Sequence, residues 1–74
     1  MKFKGIITDV VVREHDILIN YVEYPDTLRL QVRIGEDELL GYPFIGNSIQ
    51  VITSTTNRVL SVVVNDKTIL NRIS

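Results

Sequence analysis

Apolar and polar residues alternate along most of this chain with a period of two. The clearest alternation lies in residues 27–35, where aliphatic side chains are separated by single polar ones. Because successive side chains of a β-strand point to opposite faces of a sheet, this pattern predicts a strand with one buried and one wet face. The residues predicted to face inward are Leu28, Leu30, Val32 and Ile34.

Six stretches share this strand-like character. Val, Ile and Thr, whose branching at Cβ suits a pleated surface, make up 26 of the 74 residues. Short polar segments at residues 14–16, 25–26 and 65–67 predict tight turns. The predicted strands cover residues 3–13, 17–24, 27–35, 48–54, 59–64 and 68–73.

The alternation breaks between the third and fourth strands. Glu36, Asp37 and Glu38 precede two leucines and Gly41, and this order predicts one or two helical turns. Acidic residues favour the N-terminal end of the helix dipole, and a glycine is the usual cap at the other end. Residues 42–46 then form a stiff, apolar connector.

The order of these elements resembles that of the OB-fold. Three strands, a connector with a possible helix, Gly46 just before the fourth strand and a closing hairpin carry this resemblance. Residues 46–70 are also similar to Sm-like proteins, and Src-homology-type barrels fit the same order. We therefore expect one all-β domain over residues 1–74: a small closed or partly closed antiparallel barrel of five to six strands, with a short helical turn between the third and fourth. Closure would remove exposed strand edges.

Composition adds an expectation of self-association. A chain of 74 residues buries only a modest share of its surface, and without cysteine it has no disulfide or thiolate metal site. Hydrophobic residues make up 45% of it, including 27 Val, Ile and Leu, with no alanine. A barrel this small cannot bury so much aliphatic volume, so we expect exposed apolar residues and a homo-oligomer.

Charge and hydropathy exclude other classes of function. A net charge of −1 gives no electrostatic basis for non-specific binding to nucleic acid or anionic lipid. The apolar runs are too short to span a membrane, and residues 1–5 lead into a strand without the pattern of a signal peptide. We expect a cytoplasmic protein that does not bind membranes.

Residues suited to catalysis are few. His15 and Asp16 are adjacent in a turn, with no serine placed as a nucleophile. Three consecutive acids at 36–38 do not match a calcium loop, in which ligands alternate with spacers. The four glycines are scattered and form no phosphate-binding loop. The sequence therefore favours a protein that is not an enzyme and has no cofactor and no metal.

One candidate binding surface is the wet face of the third strand. It carries Arg29, Gln31 and Arg33, and either Tyr21 or Asn20 neighbours them, depending on the register. The OB-fold resemblance implies that the two arginines would contact phosphates of a single-stranded nucleic acid and that Tyr21 would stack on a base. Nearby acids, Glu23 and Asp26, oppose this, and an ordinary solvated strand face also explains the pattern.

Two apolar sets are candidate interfaces. Tyr42, Phe44 and Ile45, together with Tyr24, either plug one end of the barrel or anchor a partner. Ile52 and Val63, with Val59 and Ser61, would point outward if the alternate residues of the fifth strand face the core, and would then suit edge pairing or self-association.

Taken together, the sequence predicts a non-enzymatic module that acts by protein–protein interaction and self-association. Two alternatives remain open: an OB-like domain that binds single-stranded nucleic acid, and an oligomer that binds a small ligand between subunits.

Overall fold

The computed structural model describes residues 1–25 and 27–73 and is an all-β fold. Six antiparallel strands form one sheet, and no helix occurs in these two ranges. The strands are β1 (Lys2–Val12), β2 (Asp16–Glu23), β3 (Arg29–Gly35), β4 (Ser48–Thr53), β5 (Val59–Val64) and β6 (Lys67–Asn71).

The order of strands in the sheet is β3-β2-β1-β4-β5-β6. The long strand β1 lies at the centre and pairs with β2 along its second part and with β4 along its first part. β3 and β6 are therefore the two edges, and within the described residues no strand pairing closes the sheet between them. The closed form of the predicted barrel is not confirmed.

The connector, residues 36–47, replaces the predicted helical turn. Its start is a single hydrogen-bonded turn in which the amide of Glu38 donates to the carbonyl of Gly35 at 3.0 Å. The connector then reaches β6, where the amide of Leu40 donates to the carbonyl of Ile69 at 2.8 Å. The acids at its start do not nucleate a helix because the chain is drawn into this contact with the edge of the sheet.

All six strands contribute to one hydrophobic core. Val32 and Ile34 face inward as predicted, and Leu30 is partly buried against the core. The prediction for Leu28 is wrong: its side chain is 54% exposed because the residue lies just before β3 begins. The buried apolar residues are Ile7, Ile17, Ile19, Tyr21, Val32, Ile34, Ile49, Val51, Val62, Val64, Ile69 and Leu70.

Three register shifts change which side chains face the core. In β1 the register with β2 slips between Ile7 and Asp9, so Ile7 is buried before the shift and Val10 packs inward after it. Such a bulge adds one residue to a strand and reverses its alternation. Similar shifts occur between β4 and β5 and between β5 and β6, which allows Ile69 and Leu70 to be buried together.

The predicted turn between the last two strands is confirmed. Asn65 and Asp66 join β5 to β6 with φ angles of 50° and 67°. Positive φ at both central positions is typical of the two-residue hairpin turn, and Asn and Asp tolerate it best after glycine. The predicted turn at 25–26 includes Asp26, which lies outside the described residues.

Candidate interaction surfaces

The outer face of β3 is a polar row in which Asn20, and not Tyr21, is the neighbour on β2. Asn20 lies opposite Gln31, whose Nε2 donates to the Asn20 Oδ1 at 2.9 Å. Tyr21 lies on the opposite face, 4% exposed within the core. Burial, and then the charge of Glu23, raises the pKa of Tyr21. Tyr21 therefore provides no stacking platform beside the arginines, which corrects its predicted role.

Arg33 is held by a buried carboxylate at the start of β2. Asp16 is 6% exposed and accepts hydrogen bonds at 2.6 Å from both Nε and Nη2 of Arg13. The Nε of Arg33 also donates to Asp16. The two hydrogen bonds from Arg13, followed by the single one from Arg33, hold the pKa of Asp16 well below its usual range. This cluster joins the ends of three adjacent strands and compensates part of the Arg33 charge.

We expect acid to remove the stabilisation that Asp16 provides. Because its folded pKa lies below the unfolded value of about 3.9, this stabilisation is complete above that pH and is lost as the pH falls towards the folded pKa. Asp16→Asn should therefore lower the melting temperature near neutral pH, and the gap to the wild type should narrow below about pH 4. Melting curves of both proteins across this range check it, and a gap that does not change with pH would contradict it.

A shallow groove lies beside Arg29. Its volume is about 570 Å³, and Thr8, Asp9, Asn20, Arg29 and Gln31 are among the residues that line it. The hydroxyl of Thr8 donates to the carbonyl of Asn20 at 3.2 Å. The exposed Asp9 carboxylate places negative charge in the groove, which disfavours a phosphate ligand there.

The connector carries the largest exposed apolar side chains that are adjacent in sequence. We call Leu40, Tyr42, Phe44 and Ile45 the connector patch; their exposure ranges from 49% to 67%. The rings of Tyr42 and Phe44 lie with their centroids 5.0 Å apart and their planes inclined by 53°. The predicted alternative in which these residues plug the sheet is wrong: only Pro43, between the two aromatics, is fully buried.

Backbone hydrogen bonds fix the connector patch at both ends. Leu40 is bonded to Ile69 of β6, as described above. At the other end, the amide of Gly46 donates to the carbonyl of Ile7, and the amide of Ile7 donates to the carbonyl of Asn47, at 2.9 and 3.0 Å. The patch is thus exposed because of its anchored backbone and the buried Pro43.

Two hollows border the Tyr42–Phe44 pair. The first, about 570 Å³, is lined by Val10, Tyr42, Pro43, Phe44 and Ile45 and has no charged residue. The second, about 460 Å³, shares Tyr42 and Phe44 and extends to Asn47, Asn65 and Lys67. Both hollows also have apolar lining residues outside the patch: Val10 and Pro43 in the first, and Val64 and Ile69 in the second.

The other predicted interface residues do not join this patch. Ile52 and Val63 are half-buried in the sheet, where Ile52 lies opposite Lys2 and Ser61 and Val63 lies opposite Gln50 and Thr68. Ser61 is buried, contrary to its predicted exposure, although it lies opposite Ile52 and not opposite a core residue. The adjacent register shift instead brings Val59, which was also predicted to point outward, against the core.

Tyr24 is exposed and lines a separate hollow of about 290 Å³ with Lys4 and Gln50. It therefore does not form a single set with Tyr42, Phe44 and Ile45.

The candidates for catalysis or metal binding, His15, Asp16 and Glu38, form hydrogen bonds or ion pairs with neighbouring side chains. His15 is exposed, with its Nδ1 3.4 Å from the Glu36 carboxylate, while Asp16 turns inward to the arginines. Glu38 forms a bidentate ion pair with Arg72, with both N–O distances at 2.7 Å. The hydrogen bonds from Arg72 lower the pKa of Glu38.

Neither a metal cluster nor a membrane-spanning helix is found in the ranges 1–25 and 27–73. No three acidic or histidine side chains there are grouped so that they could hold a metal ion. No helix in those ranges has the length and apolar character needed to cross a bilayer.

Comparison of the chain with known proteins gives no match to a family model, a curated protein or a solved structure. The candidate surfaces are therefore assigned from the structure of this chain alone. Sequence reasoning missed Leu40 as a member of the connector patch. The sequence holds no signal that separates Leu40, which is exposed, from Leu39, which packs against the core.

Proposed function

We propose that this protein is a non-enzymatic interaction module that self-associates through the connector patch. The single observation that carries the proposal is the exposure of Leu40, Tyr42, Phe44 and Ile45 on an anchored backbone. A contiguous apolar surface of this kind is uncommon on a monomer and typically marks an interface. Aromatic residues held in place lose little conformational entropy on binding and are frequent interface anchors.

The electrostatics of the patch favour a second copy of this chain as its partner. None of the side chains that line the first hollow is charged, so two copies that meet there bring no like charges together. A two-fold dimer uses the same surface on both subunits, and an uncharged apolar patch meets the electrostatic part of that requirement. The small core also leaves this domain dependent on additional burial for stability.

Self-association should depend on Phe44 and Ile45. We expect the wild-type chain to have a solution mass above that of the monomer at low micromolar concentration, and the double variant Phe44→Ser/Ile45→Ser to shift to the monomer while keeping its β-sheet circular dichroism. Leu28→Ser is the matched control, because Leu28 is similarly exposed but lies outside both hollows. Light scattering that gives a wild-type monomer, or equal masses for the three proteins, would refute the proposal.

The alternative of single-stranded nucleic-acid binding has weaker support. Its predicted stacking residue, Tyr21, is buried, and Arg33 is bonded to Asp16. The alternative of a small ligand between subunits would require the dimer first. A cytoplasmic location stays a prediction, with which the lack of cysteine is compatible.

A further inference from the structure

β3 is an edge strand whose outer side is left without a partner. It pairs with β2 in a continuous register from Asp16 opposite Gly35 to Val22 opposite Arg29, with no bulge. Across residues 1–25 and 27–73, no backbone hydrogen bond leaves the other side of residues 29–34. The opposite edge differs, because the connector contacts β6 through Leu40 and Ile69.

Apart from its two exposed arginines, β3 lacks the usual protections of an edge strand. Proteins block their edges with exposed charged side chains, with proline, with bulges, with inward-pointing charges or with a covering segment. β3 has no proline, keeps a regular register and buries Val32 and Ile34 on its inner face. Its backbone is thus suited to accept an additional strand.

The charges on β3 indicate which strand it would accept. Arg29 and Arg33 are both exposed on its outer face, separated by Gln31. Among the described residues Arg29 forms no ion pair, and Arg33 uses only its Nε for Asp16. Directly opposite residues of neighbouring strands lie roughly 5 Å apart, within reach of an ion pair.

A second copy of β3 is disfavoured at this edge because it would bring the two arginines of each copy together on adjacent strands. Antiparallel pairing of two β3 strands centred on Gln31 would place each Arg29 against an Arg33 of the other copy, and like charges in opposed positions are destabilising. If the added strand instead carries acidic residues opposite Arg29 and Arg33, the charges at both positions attract each other. We infer that the outer edge of β3 binds an extended acidic segment of a partner protein as a seventh strand, with acidic residues at two positions four apart facing Arg29 and Arg33. This site is independent of the connector patch.

A labelled peptide tests the inference directly. The probe is a fluorescein-labelled peptide of alternating glutamate and valine, of the same length as β3, 7 residues. We expect saturable binding by fluorescence anisotropy that weakens with added salt, and an affinity loss of about three- to tenfold for Arg29→Glu. Lys67→Glu is the control, because it makes the same change of charge on β6, and it should leave most of the affinity intact.

A second arm separates strand addition from adhesion to positive charge. A peptide of the same sequence with alternate backbone amides N-methylated keeps every charge but cannot complete the hydrogen bonds of a strand. We expect it not to bind, and we expect the unmodified peptide to slow hydrogen exchange at alternate amides of β3. Lack of binding at low salt, equal binding of the N-methylated peptide, or equal losses for Arg29→Glu and Lys67→Glu would each overturn the inference, whatever the oligomeric state.

Discussion

Replacement of Gly5 by alanine is expected to prevent the sheet from forming. Gly5 lies in the part of β1 that pairs with both neighbours, opposite Glu23 of β2 and Ile49 of β4. A Cβ placed there would lie 2.1 Å from the backbone carbonyl oxygen of Val22. A backbone atom fixed in the sheet cannot withdraw as a side chain does, so β1 and β2 would have to separate. We expect a loss above about 3 kcal/mol, at or beyond the upper end of ordinary overpacking and a large share of the stability of a small domain.

Gly35→Ala is the matched control for this substitution. Gly35 is also a strand glycine, but its added Cβ would meet the carboxylate of Asp37 at 2.9 Å, and this side chain can rotate away. Alanine at such a position also restricts the unfolded chain, which offsets part of any cost. Circular dichroism and urea unfolding should show a folded Gly35→Ala and a largely unfolded Gly5→Ala. A cooperative unfolding transition in Gly5→Ala close to that of the wild type would contradict the close approach of β1 and β2.

Leu70→Ala is expected to cost about 2–5 kcal/mol of unfolding free energy. The Leu70 side chain is fully buried and lies on β6, opposite Val62, which is also fully buried. Truncation to alanine leaves a cavity that the surrounding strands can fill only partly, and the lost contacts add to the lost burial of apolar surface.

The same substitution at an exposed leucine gives the control. Leu28→Ala should change stability by less than about 0.5 kcal/mol, because the Leu28 side chain is mostly in solvent. Urea unfolding monitored by circular dichroism measures the stability of both variants. Each substitution is made in a connector-patch variant and measured at a concentration at which that chain is monomeric. Similar losses for Leu70→Ala and Leu28→Ala would show that the inner and outer faces of the sheet are wrongly assigned.

The period-two pattern predicted the strands because burial on one face of a sheet acts on every second residue. The observed strands lie close to the predicted ones, and the turn at Asn65 and Asp66 was readable from residues that tolerate positive φ. The pattern could not reveal the register shifts, since no particular residue type marks a β-bulge in a sequence. Val59 was therefore predicted to point outward, although it packs against the core.

The sequence predicted some residues of the candidate surfaces and not others, because alternation within a strand is visible in the sequence, whereas strand register and the path of the connector are not. Arg29, Gln31 and Arg33 were placed correctly on one exposed face, because they alternate with aliphatic residues. Their neighbour on β2 depended on the register between two strands, which only the folded chain fixes, and this register selects Asn20 over Tyr21. The fate of Tyr42, Phe44 and Ile45 depended on how the connector crosses the sheet, and its hydrogen bonds to Ile69 and Ile7 leave these side chains outside.

Because β1 lies at the centre of the sheet, one strand pairing, that of β1 with β4, joins segments that are far apart in sequence. In the described sheet, each pairing joins strands that follow one another in sequence, except the pairing of β1 with β4, which brings Lys2 opposite Ile52. The halves β1–β2–β3 and β4–β5–β6 can each assemble through loops that close quickly, whereas their union must overcome the entropy of closing a much longer loop. We therefore expect the docking of these two three-stranded meanders, through the pairing of β1 with β4, to limit the folding rate.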